Sequence, residues 1–415
     1  MLVLAGGDLV LPNGILTGAS LVIEGGRIAA IEQTSRTDVS GATIVDTREC
    51  YVVPGFIDVH VHGVEGHDTL DPGEPVAAIA SRLPRYGVTA FCPTTVTCAP
   101  RELSGVLAQV AQARATRPRR SARVLPAHLE SNFINPAYAG AQPAECIRVP
   151  AHVPDRTPDV SSGVAHMARV RDGEFTARDI LDVVAAARPD VGIVTLAPEL
   201  PGGLELVRRL VSAGHRVSLG HSGASVDEAM AAIDAGARHA THLFNRMAPM
   251  THRAPGIAGA VLAREEVAAE LICDGYHVHP AMSRVAIAAK GRDRLMAITD
   301  GTAGSGLTRG ATARLGGRQI RVTDSAAVLD DGTLAGSTLT MDRAFRTIVT
   351  AFGLTVVEAA TLCSTTPARE LGLSGCGVLA RDYFADIVVL DRGFGVVRTF
   401  IDGEEVYGHR TGTTA

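Results

Sequence analysis

The sequence predicts an α/β protein whose middle is a (β/α)8 barrel, framed by a β layer drawn from both chain ends. Three observations carry this. Between about residues 54 and 376, short β-rich runs alternate with Ala-rich helical stretches, as in PVAAIASRLPRY before GVTAFCPTT and ARDILDVVAAARPD before VGIVTLAPE. Candidate strands end at GFIDVHVH, FCPTT, VLPAHLE, GIVTLAPE, RVSLGHS, HATHLF, AAELICDG and LMAITD, and that count of eight favours closure into a barrel. The first fifty residues and the C-terminal segment share a strand, turn, strand character, seen around EGGR near the start and around IDGEE near the end.

The chain has 415 residues, more than a typical single domain, and the expected division is 1–53 with 377–415 as a small β unit against 54–376 as the barrel. A hydrophobic content of 46% and a charged content of 20% suit an ordinary globular core, here without Trp. The net charge of −5 gives no general electrostatic reason to bind nucleic acid or an anionic membrane, so the expected partner is a small molecule. Seven cysteines, odd in number and without a CxxC pair, fit neither a disulfide framework nor a zinc knuckle. The N-terminal MLVLAGGD lacks a basic leader, and no apolar run approaches the roughly 20 residues of a membrane helix. A reduced, cytoplasmic protein is expected.

Two other segments stand out. RATRPRRSAR, residues 114–123, reads as a solvated loop between a helix and a strand, since no aromatic residues are interleaved to suggest nucleic-acid binding. PAHVPDRTPD, residues 150–159, reads as a loop over a barrel end.

A barrel places its chemistry at the C-terminal ends of its strands. His60 and His62 end the first candidate strand, and residues two apart on a strand face the same way, so this pair can hold one metal. Glu130 ends the third strand, His221 follows VSLG, His242 follows HAT and Asp300 follows AIT. Singly, each is more often structural, and Asp300 before Gly301 suits a turn. Together they form the imidazole and carboxylate mixture that borderline divalent cations favour. Such a metal with an open position brings the pKa of bound water to ~7 and polarises a carbonyl, which implies hydrolysis. Asp300 would take the proton from water and return it to a leaving nitrogen. Glu199 in TLAPE is expected to brace loops instead, because Glu130 already supplies the carboxylate.

PGFIDVHVHG, HLESNFINP, LGHS, THLFNRM, HRAPG, DGYH and TDGTAGSG, with PARELGL and FADIVVLD near the end, resemble in order and spacing the N-acetylglucosamine-6-phosphate deacetylases of the amidohydrolase superfamily. The resemblance implies a metal-dependent hydrolase barrel with a small β-sandwich domain made from both termini, and removal of acetate from an N-acetylated amino sugar, by default the 6-phosphate. It implies one or two divalent ions, zinc or iron, with Glu130, His221 and His242 at the principal site and His60 and His62 at a second that Glu130 bridges. It makes Asp300 the catalytic acid and base, His277 a substrate contact, and Asn245 and Arg246 part of a phosphate-receiving loop. Arg253 matches an arginine supplied to the neighbouring subunit's sugar phosphate, which implies a homodimer.

The chain leaves the family pattern around the substrate. Where relatives read HLEGPF, Ser131 and Asn132 replace Gly and Pro, adding two hydrogen-bonding side chains beside the metal that are expected to contact the substrate. Gln142 stands where relatives carry a His that polarises the acetyl carbonyl, and an amide can donate a hydrogen bond but cannot become a cation. A second metal could supply that polarisation. Arg246 replaces a small residue and Ala254 replaces Glu. These changes keep open a different N-acetyl sugar, unphosphorylated, nucleotide-linked or from a specialised pathway. A barrel that binds sugar phosphate without catalysis is the more distant reading.

Overall fold

The computed structural model describes residues 1–34, 41–150 and 174–408. The Pro-rich stretch 150–159 lies outside these apart from Pro150.

The eight expected barrel strands are Phe56–Val61, Val88–Thr95, Ala127–Glu130, Val191–Leu196, Arg216–Leu219, His239–Ala240, Ala268–Ile272 and Leu295–Ile298. Consecutive strands pair in parallel from the first to the eighth. The first and eighth meet through a short seam past their ladders. Asp300 N donates to His60 O at 2.9 Å, His62 N to Gly301 O at 2.8 Å, and Thr299 Oγ1 to the buried Asp58 Oδ2 at 2.6 Å. The barrel is therefore nearly closed, and its clasp lies at the C-terminal mouth.

The helices form where the sequence supplies both a cap and an apolar stripe. Ala177–Ala186 and Val226–Asp234 each start with a reciprocal box, Thr176 with Asp179 and Ser225 with Glu228. In Gly203–Ser212 the buried residues Leu206, Val207 and Leu210 recur at helical spacing and face the sheet. The main core lies between helices and strands, with Val59, Phe91, Leu129, Ile193, Leu219, Leu271 and Ile298 buried in one continuous cluster.

A separate sheet of eight strands joins the two chain ends. Its hydrogen-bonded path runs Glu404–Gly408, Val396–Ile401, Ile387–Leu390, Tyr51–Pro54, Leu2–Leu11, Gly14–Glu24 and Arg27–Glu32, with Thr43–Asp46 beside Leu2–Leu11. The two expected hairpins turn at Gly25–Gly26 and at Asp402–Gly403, all with positive φ as type I′ turns require. Leu4, Leu21, Val52, Ile387 and Phe400 form this unit's own core.

Two features differ from expectation. A three-stranded sheet, Thr312–Leu315, Arg318–Val322 and Ala327–Val328, follows the eighth strand and stands over the mouth. The signal was present, since Gly316 and Gly317 between apolar and polar residues repeat the pattern at Gly25–Gly26. The run 114–123 does connect a helix to a strand, but it is not simply solvated. Arg117 pairs with Asp402 at 2.8 Å, and Arg123 with Asp386 at 3.1 Å, because the terminal sheet brings these carboxylates alongside.

Candidate metal and acid-base centre

Five strand tips converge at the mouth. Glu130 Oε1 lies 2.8 Å from Nε2 of both His221 and His242, whose Nε2 atoms are 3.1 Å apart. His60 Nε2, His62 Nε2 and Asp300 Oδ1 form a second triangle with sides of 3.2, 3.3 and 3.3 Å. Glu130 stands between the two, its Oε2 3.4 Å from His62 Nε2. All six side chains are buried.

The strand tips are held in a backbone conformation that L residues rarely adopt. φ is 48° at His221, 29° at His242 and 47° at Asp300, each of a kind that costs about 1–3 kcal/mol and persists only where the surroundings over-determine it. Gly220 before His221 is required for a different reason. A Cβ there would come within 2.8 Å of Thr241 Cβ and 3.1 Å of Thr195 Cγ2 on the neighbouring strands.

Hydrogen bonds at the outer ring nitrogens aim the inner ones. His221 Nδ1 donates to Tyr138 O at 2.8 Å, so in the neutral ring the Nε2 lone pair faces Glu130. His60 Nδ1 is 2.8 Å from Glu270 Oε2, which likewise turns Nε2 inward. Lone pairs and carboxylate oxygens packed this closely repel unless a cation lies among them. Nδ1 of His62 and of His242 is buried without a hydrogen-bond partner. Burial works against charge on His62, yet Asp300 and Glu130 outweigh it and raise its pKa to about 10; Glu130 in the same way raises His242 to about 9. Burial alone would raise the Asp300 carboxyl, but the neighbouring His60 and His62 bring it below its usual value, so it is a carboxylate at neutral pH. The donor set therefore fits a divalent metal at either triangle.

His60, His128 and Glu270 are also close together, but they make a hydrogen-bonded network. His128 Nδ1 donates to Val59 O at 2.9 Å and its Nε2 accepts from Thr195 Oγ1 at 2.8 Å, which occupies both nitrogens. Neither His128 nor Glu270 was expected from sequence. Their signals were an imidazole two residues before Glu130, and a lone acid within the apolar run AAELI.

A cavity of about 540 Å³ opens onto this centre. Gln142, Asn245, Arg246 and His277 line it together with Glu130, His221, His242, His62 and Asp300. His277 is held by Asp274, whose Oδ2 is 2.6 Å from Nδ1, and its Nε2 has no hydrogen-bond partner. Asn245 rests on the carbonyls of His242 and Leu243. Arg246 crosses Gly140, where any Cβ would meet its Nε at 2.5 Å. Gln142 Oε1 accepts from Thr97 N at 2.7 Å, which orients the amide so that Nε2 donates to Glu130 Oε2. Its amide is thus occupied in holding the carboxylate between the triangles.

Ser131 and Asn132 are placed elsewhere. Both are buried and neither lines the cavity. Ser131 Oγ donates to Thr195 O at 2.5 Å and accepts from Phe133 N at 3.2 Å. Asn132 Nδ2 donates to the carbonyls of Cys98 and Cys146 at 2.8 and 2.7 Å. The expectation that these side chains face substrate is corrected: they fasten the loop to its neighbours. Arg253 and Ala254 are exposed, and Arg253 does not line this chain's cavity. Glu199 braces loops as expected, accepting from Asn135 Nδ2, Ser222 Oγ and Gly223 N.

The family model for the amidohydrolase family matches residues 51–406. The chain is 34% identical over 399 residues to an N-acetylgalactosamine-6-phosphate deacetylase of Escherichia coli O157:H7, covering 95% of this chain and 97% of that protein. It is 32% identical over 403 residues to an N-acetylglucosamine-6-phosphate deacetylase of Bacillus subtilis, covering 95% and 94%. Among solved structures, a mutant of the N-acetyl-D-glucosamine-6-phosphate deacetylase of Mycobacterium smegmatis, in complex with N-acetyl-D-glucosamine-6-phosphate, superposes with a TM-score of 0.82 at 32% identity, covering 98% of this chain and 99% of that one.

Proposed function

The chain belongs to the amidohydrolase family, among the N-acetylglucosamine-6-phosphate deacetylases, and on that premise we propose that it hydrolyses the acetamide of an N-acetylhexosamine 6-phosphate, most readily the gluco epimer, to the amine and acetate. The observation that carries this is the pair of donor triangles joined by Glu130 at the floor of a cavity that also holds Asp300, His277 and Arg246.

Glu130, His221 and His242 would hold the principal divalent ion, zinc or iron, and His60 with His62 would hold a second. A bound cation supplies Lewis-acid polarisation of the amide carbonyl and the attacking water. Asp300, an ionised carboxylate facing the cavity, accepts the proton of the water and passes it to the departing nitrogen, which an amide needs because the amide anion leaves poorly. His277, anchored by Asp274, presents Nε2 to the sugar. Asn245 and Arg246 receive the phosphate, where the guanidinium fork matches its oxygens. Arg253, exposed and outside its own cavity, reaches the cavity of the second chain in a homodimer. No helix among the described residues is long and apolar enough to cross a membrane, and we place the reaction in the cytoplasm.

Acetate release measured across N-acetylglucosamine 6-phosphate, N-acetylgalactosamine 6-phosphate and free N-acetylglucosamine, with metal analysis on the same sample, tests this. Loss of the phosphate contacts should lower kcat/KM by about 100-fold, as for charge-assisted hydrogen bonds of about 1.5–3 kcal/mol. Equal rates on the free sugar would overturn the phosphate assignment. No acetate from any of the three would favour a barrel that only binds.

A further inference from the structure

The basic run 114–123 has no part in the proposed chemistry, yet with two later arginines it surrounds a second cavity. This cavity, about 610 Å³, lies at the opposite, N-terminal end of the barrel. Arg114, Arg117, Arg123, Arg188 and Arg216 line it with His215, and no carboxylate among the described residues lines it. Three of the five guanidinium groups are matched by acids set back from the wall: Arg114 by Asp190, Arg117 by Asp402, and Arg123 by Asp386 with Asp402. Arg188 and Arg216 have no ion pair or hydrogen bond to any described residue, which leaves two uncompensated charges facing one space.

Helix ends account for part of this. Helices Pro100–Ala115, Ala177–Ala186 and Gly203–Ser212 finish near the cavity, and cations near helix C-termini are favourable, which accounts for Arg114 in the last turn of the first and favours Arg188 just past the second without giving it a counter-charge. It does not suffice for Arg216. Arg216 opens a barrel strand and shares a face with Ser218, whose Oγ bonds Thr241 Oγ1 inside the barrel, so its chain starts from the barrel's interior side. It is half-buried, and burial lowers its pKa, with Glu370 and Cys92 opposing this only in part. A half-buried cation without an ion-pair partner is stabilised by a counter-anion brought into the cavity it lines. His215 adds an acceptor or donor on the same wall, because its Nδ1 donates to Val191 O at 3.0 Å and Nε2 is left over.

We propose that the floor cavity binds a phosphate monoester, its dianionic head between Arg188 and Arg216 and its organic part against Leu125, Leu371 and Leu373. Two free positive charges match a dianion, and the volume exceeds what a bare phosphate fills. The geometry places this ligand at the opposite end of the barrel from the metal centre.

Calorimetric titration of the metal-loaded protein with glucose 6-phosphate, a monoester without an amide to hydrolyse, tests the proposal. The wild type is expected to bind two molecules per chain, Arg246→Met one, and Arg246→Met combined with Arg188→Met and Arg216→Met none. Arg188→Met alone, at an exposed position, should weaken floor binding about tenfold, the effect of losing one charge-assisted hydrogen bond, and leave kcat/KM for deacetylation unchanged. Without ligand, Arg216→Met should melt at or above the wild-type temperature, because an unpaired cation has been removed. A fall in its melting temperature would show that Arg216 is a structural strut and would overturn the proposal. So would unchanged stoichiometry in the triple variant, or inorganic phosphate binding the floor as tightly as the ester.

Discussion

The two ends of the barrel hold cavities of similar size, about 540 Å³ at the mouth and about 610 Å³ at the floor, and line them with opposite chemistry. At the mouth, imidazoles and carboxylates meet one another, each charge facing another within 2.8 to 3.4 Å. At the floor, Arg117 and Arg123 meet carboxylates brought by the terminal sheet, Arg114 meets Asp190, and two guanidinium groups meet none among the described residues. The backbone differs as well. His221, His242 and Asp300 sit at positive φ just beyond the strands, whereas Arg216 is an ordinary first strand residue. The contrast separates two uses of charge. Mouth residues are fixed by strain and mutual contact, so changing one should alter chemistry. Floor residues are replaceable individually, so changing one should alter binding or stability and leave the reaction intact.

The strongest challenge to this contrast is Asp300→Asn. Removing the group assigned to proton transfer should lower kcat by about 1,000-fold, within the range of general acid-base contributions, with the metal at Glu130, His221 and His242 retained. Metal loss in step with activity would make Asp300 chiefly a ligand. Gln142→Ala comes next. Freed of the amide on Oε2, Glu130 should bind metal about 10- to 100-fold more weakly, as measured by chelator competition. If metal affinity holds while KM rises, Gln142 touches substrate instead. Asn132→Ala should have the smallest effect. It leaves the buried carbonyls of Cys98 and Cys146 without this donor, and stability in denaturant should fall by about 1–3 kcal/mol with kcat nearly unchanged.

The eight strands and the six convergent side chains were legible because the barrel encodes them locally: an apolar run ends, and a His, Glu or Asp stands at its tip. The pairing of His60 with His62 followed from the two-residue period of a strand. Glu270 was not legible, since a single acid in AAELI acquires meaning only when His60 arrives 2.8 Å away from another strand. Ser131 and Asn132 were located but misdirected. Spacing places a loop residue near a site without saying which way its side chain turns, and here both turn toward backbone carbonyls. The basic run was placed as a connecting loop, but the partners of Arg117 and Arg123 were not legible, as Asp386 and Asp402 lie far along the chain and only the fold brings them near.

The seam between the first and eighth strands has a consequence for synthesis. Asp300 and Gly301 clasp the barrel and Asp300 completes the second donor triangle, yet they leave the ribosome long after His60 and His62. A nascent chain that stops short of them has the paired imidazoles but neither the clasp nor the proton acceptor. The donor set is therefore complete only after the eighth strand has been made, and products that end before it lack the carboxylate proposed to move the proton.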